Sequence, residues 1–378
     1  MKSIKLSYKE LINSDNRIFG FDLLRFLAIF YVFWGHGAIL IPNEFKSIYS
    51  WATFIPIEGV SVFFVLSGFL IGNILIRTIK KTEFNPKELL NFWSRRWYRT
   101  IPNYFVVLII LLIVNARAEN FDLRYLFFSQ SLIGKHPDFY TVSWSLAVEE
   151  WFYFLFPLVL MVVLFVRKKN NSALLICIGL FIIIPFVLRY FHFIDNEFLP
   201  DANIRKTTVF RFDSMMFGIF SAFLYSYYNR FWLKQTKLFT FLGVLSLVVI
   251  ILLKKYWMWM QYPIFEAVYV YYFEAIPVFF FLPFLSALKD FRFTKLKRFI
   301  VFISKMSYSI YLVHGSLVLW FILRKLREVE SFLEIRFEVQ RLILYVLYVV
   351  LTILISFLLY VFVEKPVMNF RDRITKHY

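Results

Sequence analysis

Long apolar stretches alternate with short polar segments along the whole chain. Most of these stretches approach or exceed the roughly 20 residues that a helix needs to cross the hydrocarbon core of a bilayer. We therefore predict an all-α fold, a polytopic transmembrane helix bundle of about ten spans. The predicted spans are 19–41, 54–76, 100–115, 143–166, 172–190, 207–228, 238–253, 262–287, 299–323 and 340–362.

Composition supports a membrane protein and sets its expected orientation. Of the 378 residues, 60% are hydrophobic, and no segment has the composition of a soluble domain. We expect a single integral membrane domain over 1–378 without an appended soluble domain, located in the cell membrane. The net charge of +18 lies mostly between the spans, where it sets topology and contacts lipid, so we expect no nucleic-acid partner. If the N-terminus is cytoplasmic, the cytoplasmic segments hold most of the Lys and Arg, which predicts both termini on that side.

Arg25 and His36 both lie inside the first predicted span. A charged residue at the centre of a bilayer costs roughly 2.5–3.5 kcal/mol on insertion scales, so such residues usually mark a functional site that faces the bundle interior. Eleven helical positions make three turns plus about 20°, which places both side chains on one helix face, about 16 Å apart along the axis. One polar stripe thus follows the first span.

Further ionisable residues lie inside later predicted spans, at depths that would match that of His36. They are Glu149, Glu150, Arg211, Asp213 and His314. Such groups either line a wet cavity and bind substrate or form a structural network that ties helices together. Tyr153 lies one helical turn after Glu149, in reach to donate a hydrogen bond to it, so we expect Glu149 to be the inward carboxylate. In that place it would either orient the His36 ring or stabilise the protonated ring. Ser67 is predicted to be a close-packing position, since Ser-Gly pairs let helices approach.

A second cluster, Arg96 and Arg99, precedes the third predicted span. If this turn is helical the two share a face, and arginine forks suit bidentate phosphate binding. The alternative is a positive anchor for lipid headgroups. The lone cysteine, Cys177, excludes an intramolecular disulfide, and no His, Asp or Glu spacing typical of metal-dependent hydrolases occurs, so no metal is expected.

In order along nearly the whole chain, these landmarks resemble the acyltransferase-3 family of integral membrane acyltransferases. The matching motifs are Arg25-x10-His36, SVFFVLSGFLIG at 61–72, Arg96-x-x-Arg99, WSLAVEEWFYFLFP at 144–157, RFDSMMFG at 211–218, ISKMSYSIYLVHG at 303–315 and VEKP at 363–366.

The resemblance implies transfer of an acyl group, commonly acetyl, from cytoplasmic acyl-CoA to a hydroxyl of a carbohydrate or lipid-linked sugar. It ties Arg25, His36, Arg96 and Arg99 to activity and aligns Glu149 with the family's carboxylate. On this basis we expect Arg25, His36 and Glu149 to be catalytic, with His36 as general base or transient acyl carrier. Arg96 and Arg99 would bind acyl-CoA, a substrate rather than a permanent cofactor, while Arg211, Asp213, His314 and Glu150 would contact the acceptor.

Two other classes stay open on the residues alone. A transporter or flippase for a carbohydrate-like solute would use the same buried charges along its pathway. A lipid-linked glycosyltransferase would have acidic residues in its first outer loop, where 42–53 offers only Glu44. Neither the acceptor, the acyl chain length nor the oligomeric state can be read from the sequence.

Overall fold

The computed structural model is a bundle of long helices joined by short connections, without a β-strand in the part of the chain that it describes. The described residues are 17–42, 45, 57–82, 84–114, 121–167, 170–195, 204–255, 263–330 and 337–375. The α-helices are α1 Phe19–Gly37, α2 Gly59–Lys81, α3 Pro86–Ile113, α4 Trp144–Arg167, α5 Asn170–Asp195, α6 Phe212–Tyr227, α7 Asn229–Lys234, α8 Thr236–Lys255, α9 Val270–Ala287, α10 Thr294–Val313, α11 Leu323–Glu330, α12 Phe337–Leu359 and α13 Lys365–Thr375.

Nine helical segments in the described residues are long and apolar enough to cross a membrane, which confirms a multi-pass α-helical membrane protein. Two of them each consist of two α-helices joined by a π-helical turn. Helix α10 continues through His314–Ile322 into α11, and α12 continues through Tyr360–Glu364 into α13. The predicted span starts at 54 and 262 and the predicted end at 115 lie outside the described residues, as does Glu44.

The sixth predicted span, 207–228, is the 16-residue helix α6, too short to count among these nine. It nevertheless runs parallel to α2 along nearly the whole length of that helix. Arg211 contacts Ser61 at one end, and Lys80 donates to the carbonyl oxygen of Ser226 at the other. Within the described residues, the nine segments together with α6 thus agree with the expectation of about ten spans. The cytoplasmic placement of both termini stays a prediction.

Glycines allow α2 and α6 to approach so closely. A Cβ atom on Gly68 would lie 2.0 Å from the carbonyl oxygen of Met215, and one on Gly218 would lie 1.9 Å from that of Val65. Small residues at crossings of this kind let two backbones meet. The close-packing position is thus Gly68 rather than Ser67, the neighbour for which we predicted this role.

Helix α3 begins at Pro86, well before the predicted start at residue 100. Asn85 caps it by accepting a hydrogen bond from the backbone N–H of Glu88, and proline is favoured at the first helical position. Pro102 lies inside the helix without ending it. Arg96 and Arg99 consequently lie several turns inside a helix and share a face, as predicted for a helical turn.

Candidate active site

Two adjoining cavities are lined by residues of α1, α2, α4 and α10, and the first of them also by residues of α3. The first, here called the arginine cavity, has a volume of about 90 Å³ and is lined by Arg25, Arg96, Arg99 and Glu149. The second, the histidine cavity, has a volume of about 440 Å³ and is lined by His36. Arg25 and His36 thus face the two cavities from the same stripe of α1, as their spacing predicted.

Arg25 is held at the arginine cavity by a carboxylate on its own helix. Asp22, one turn earlier, is 1% exposed, and its Oδ1 lies 3.6 Å from Nη1 of Arg25. Asp22 also accepts hydrogen bonds from Arg17 and, at 2.7 Å, from the hydroxyl of Ser304 on α10. Sequence reasoning missed Asp22, although its position three residues before Arg25 was a usable signal.

A second chain of contacts holds Arg96. Its guanidinium lies over the ring of Tyr153, 4.1 Å from the centroid. The hydroxyl of Tyr153 donates to Glu149 at 2.9 Å, and that of Ser67 donates to the other oxygen of Glu149 at 3.2 Å. The predicted pairing of Tyr153 with Glu149 is present. The Glu149 carboxylate therefore holds the Tyr153 ring against which Arg96 lies. Its negative charge also partly offsets the charges of the three arginines.

The predicted depths of Glu149 and His36 placed both in one layer. In the structure the two side chains line different cavities. The hydrogen bonds of Glu149 in the described residues come from Ser67 and Tyr153, and it faces the arginine cavity. The place that we assigned to Glu149 beside the His36 ring belongs to His314.

His36 and His314 form a hydrogen-bonded pair. Nδ1 of His36 lies 2.7 Å from Nε2 of His314. The ring centroids are 5.0 Å apart and the ring planes differ by 14°, which is the geometry of a hydrogen bond within the ring planes. His314 is fully buried, whereas His36 is exposed to the histidine cavity.

The backbone fixes which nitrogen of each neutral ring carries the proton. Nδ1 of His314 lies 2.8 Å from the carbonyl oxygen of Tyr311, and a carbonyl only accepts, so this nitrogen must donate. Nε2 of His314 is then an acceptor, and Nδ1 of His36 donates to it. Nε2 of His36 consequently carries the lone pair. These protons are assigned from the hydrogen-bond network.

The π-helical turn at His314–Ile322 positions this pair. His314 is its first residue, directly after the regular helix α10 ends at Val313. Such insertions change the direction of side chains and are frequent at functional sites. The sequence offered no signal for the turn.

Polar and aromatic groups surround His36 in the histidine cavity. Glu58 forms an ion pair with Arg205, whose guanidinium lies over the ring of Trp144, 5.4 Å from the centroid. Asp138 and Thr141 contribute from the connection between α3 and α4. The cavity thus combines hydrogen-bonding groups with flat aromatic surfaces.

Arg211, Asp213 and Glu150 line neither cavity. Asp213 is fully buried and paired with Arg189 at 2.5 Å. Arg211 is also fully buried and donates to the hydroxyl of Ser61 and to the backbone carbonyl of Arg205, at 3.2 Å each. Arg211 therefore supports the histidine cavity from behind, through the backbone of Arg205.

Outside the spans, the connection between α3 and α4 contains a buried histidine. His136 is 3% exposed, and its Nε2 donates to the carbonyl oxygen of Tyr140 at 3.1 Å. Burial lowers the pKa of His136 to about 4, so this ring is neutral at pH 7. It holds the connection that carries Asp138 and Thr141.

The chain thus folds as a polytopic helix bundle in which a cavity lined by three arginines adjoins a cavity lined by a histidine. The model of one family, described as an acyltransferase domain, matches residues 18–361. The chain belongs to this family, which confirms the resemblance.

Similar curated proteins include O-acetyltransferases. The chain is 30% identical over 191 residues to the O-acetyltransferase OatA of Staphylococcus aureus, which covers 44% of this chain and 30% of OatA. It is 33% identical over 164 residues to the peptidoglycan O-acetyltransferase OatA of Listeria monocytogenes, covering 38% and 26% of the two chains. An uncharacterised Haemophilus influenzae protein is 28% identical over 199 residues, covering 47% and 78%. The matched part thus spans less than a third of either OatA protein, and no solved structure matches.

Proposed function

We propose that this protein is a membrane O-acyltransferase that moves an acyl group, with acetyl as the expected group, from cytoplasmic acyl-CoA to a hydroxyl of a carbohydrate. The observation that carries the proposal is the pair of adjoining cavities on one helix stripe. One presents three arginines, and the other presents a histidine whose tautomer is fixed by a buried partner.

The arginine cavity is the proposed donor site. Arg96 and Arg99 lie one turn apart on α3 and would hold the phosphates of CoA by charge-assisted hydrogen bonds. Arg25, held by Asp22, would bind the donor further along the stripe toward His36. Glu149 keeps Arg96 and Tyr153 in place, so we propose that it positions the donor site.

His36 is the proposed general base. Its Nε2 takes the proton of the acceptor hydroxyl, and the oxygen forms a bond with the thioester carbonyl carbon. The carbon–sulfur bond then breaks, the acyl group stays on the acceptor oxygen, and the proton passes from His36 to the departing thiolate to give CoA. General base catalysis of this kind contributes typically 10²–10⁴ in rate. In a two-step variant, Nε2 of His36 first bonds to the acyl carbon while the carbon–sulfur bond breaks and the CoA thiolate leaves. The acceptor oxygen then bonds to the acyl carbon, the carbon–nitrogen bond to His36 breaks, and the acceptor proton passes to the thiolate.

His314 is the proposed positioning residue for His36. When His36 takes up a proton, its Nδ1–H donates to Nε2 of His314 as a charge-assisted hydrogen bond. The sequence led us to expect that His314 contacts the acceptor. Because His314 is fully buried, we propose instead that it acts through His36.

The histidine cavity is the proposed acceptor site. Carboxylates, two basic side chains and the aromatic ring of Trp144 fit a polyhydroxylated ring with polar edges and apolar faces. The OatA relatives support a carbohydrate of the cell envelope as acceptor. Arg211 would affect the acceptor only through Arg205, whose backbone it holds. Asp213 is paired with Arg189, and neither Asp213 nor Glu150 lines a cavity, so we propose that neither contacts substrate.

Release of CoA thiol by the purified protein tests the proposal. With acetyl-CoA and envelope carbohydrate, wild type should release CoA and form an alkali-labile ester in equal amounts. His36→Ala should abolish both, whereas His192→Ala, at a histidine of α5 that lines neither cavity, should leave both unchanged. Movement of carbohydrate across vesicles without CoA release would favour the transporter alternative.

A further inference from the structure

Two side chains, Val60 and Tyr311, line both cavities. Val60 lies in the first turn of α2 and Tyr311 near the end of α10, and they are 8% and 7% exposed. Under the function proposed above, the thioester has to lie between the arginines and His36. The acyl group therefore meets these two side chains, here called the shared wall.

Hydrogen bonds hold Tyr311 in the shared wall. Its hydroxyl accepts from Ser145 at 2.6 Å and donates to the carbonyl oxygen of Val142 at 3.0 Å. The backbone of Tyr311 in turn accepts from His314. Because the residue is bonded at both ends, this side of the wall cannot recede without disturbing the histidine pair.

Helix packing holds the part of the shared wall that Val60 forms. The preceding residue, Gly59, lies so close to α1 that a Cβ atom there would be 2.3 Å from the carbonyl oxygen of Ala28. The first turn of α2 is therefore fixed against the helix that carries His36. Val60 is thus held in place where the two cavities meet.

We propose that Val60 and Tyr311 limit the acyl group to a short chain, with Val60 as the residue that determines its length. This inference rests on the proposed function. A pocket that stops after a short acyl group rejects each additional methylene by roughly 10- to 200-fold in kcat/KM. Val60→Ala removes two methyl groups at the wall and should relax this limit.

An internal competition measures the preference without knowledge of the exact acceptor. Membranes containing the full chain receive equal amounts of radiolabelled acetyl-, propionyl- and butyryl-CoA, and the acyl groups esterified to envelope carbohydrate are released by alkali and separated. The ratio of products gives the ratio of kcat/KM values, whatever the amount of enzyme. Val60→Ala should raise the propionate-to-acetate ratio by about 10-fold or more, within the range for one methylene.

Two further variants separate an effect of Val60 on acyl selectivity from a folding defect or a general change of the donor cavity. Val60→Ile should lower the same ratio, so a folding defect in one variant leaves the other informative. Leu70→Ala, on the same helix and on the arginine cavity but not the shared wall, should retain the wild-type ratio. Active Val60 variants with the wild-type ratio would overturn the inference alone. No label from wild type with any donor would overturn the proposed function and this inference with it.

Discussion

Replacing His314 tests the proposed histidine pair at a residue that reaches neither cavity. In His314→Met the side chain has no good acceptor for Nδ1–H of His36, while the similarly shaped glutamine of His314→Gln retains one. The bond is 2.7 Å long and becomes charge-assisted when His36 is protonated during the reaction. Hydrogen bonds to charged groups contribute about 1.5–3 kcal/mol. At about 1.4 kcal/mol per factor of ten, their loss predicts a fall in kcat of roughly 10- to 150-fold.

The assay is the initial rate of CoA release by purified protein over a series of acetyl-CoA concentrations. His314→Met should lower kcat and leave the KM for acetyl-CoA unchanged, because the arginine cavity is intact. His314→Gln should recover much of the lost rate, since its amide oxygen can accept from His36 and its amide nitrogen can donate to Tyr311. Equal kcat values for wild type and His314→Met, or equal losses in both variants with lowered thermal stability, would refute the positioning role.

Three other predictions concern the donor site, the helix crossing and the buried histidine. Arg99→Lys should raise the KM for acetyl-CoA by roughly tenfold, because lysine loses the bidentate fork, as measured by CoA release. Gly68→Ala should lower the free energy of unfolding by about 1–3 kcal/mol through overpacking, whereas Gly35→Ala, whose Cβ atom meets nothing within 4 Å, should not. Burial lowers the pKa of His136 to about 4 from 6.5. The unfolded chain thus binds more protons between these values, so stability should fall as the pH drops from about 6.5 to 4.

Controls distinguish these effects from general damage. Arg99→Lys should have the unfolding temperature of wild type, and an unchanged KM would contradict a phosphate contact. Thermal unfolding in detergent compares the two glycine variants, and equal stabilities would show that the α2–α6 crossing tolerates a methyl group. In His136→Gln the loss of stability between pH 6.5 and 4 should shrink. An identical pH profile in that variant would assign the loss to other groups.

Much of the bundle follows from local properties of the sequence. Apolar length is a local quantity, so nine spanning segments could be located in advance, most within a few residues of their observed bounds. The α3 start was misplaced because Arg95, Arg96 and Arg99 resemble a loop at a membrane surface. The length of the apolar stretch also gives no information about Asn85, which caps the start of α3.

The site was harder to predict because its contacts join distant helices. The stripe of Arg25 and His36 follows from helical periodicity within one segment. The contact of His36 with His314 instead depends on the π-helical turn after α10 and on the packing of α10 against α1. Val60 and Tyr311 likewise lie on different helices, so no spacing within one segment could indicate the shared wall.

The central claim is that acyl transfer needs the histidine of one cavity and the arginines of the other. The most direct measurement is the transfer of label from radiolabelled acetyl-CoA to envelope carbohydrate in membranes that contain wild type, His36→Ala or Arg99→Ala at equal protein levels. Label should enter the carbohydrate with wild type and should not enter it with His36→Ala. With Arg99→Ala labelling should be reduced, and it should recover in part as the concentration of acetyl-CoA is raised. Equal labelling by all three proteins would contradict the account.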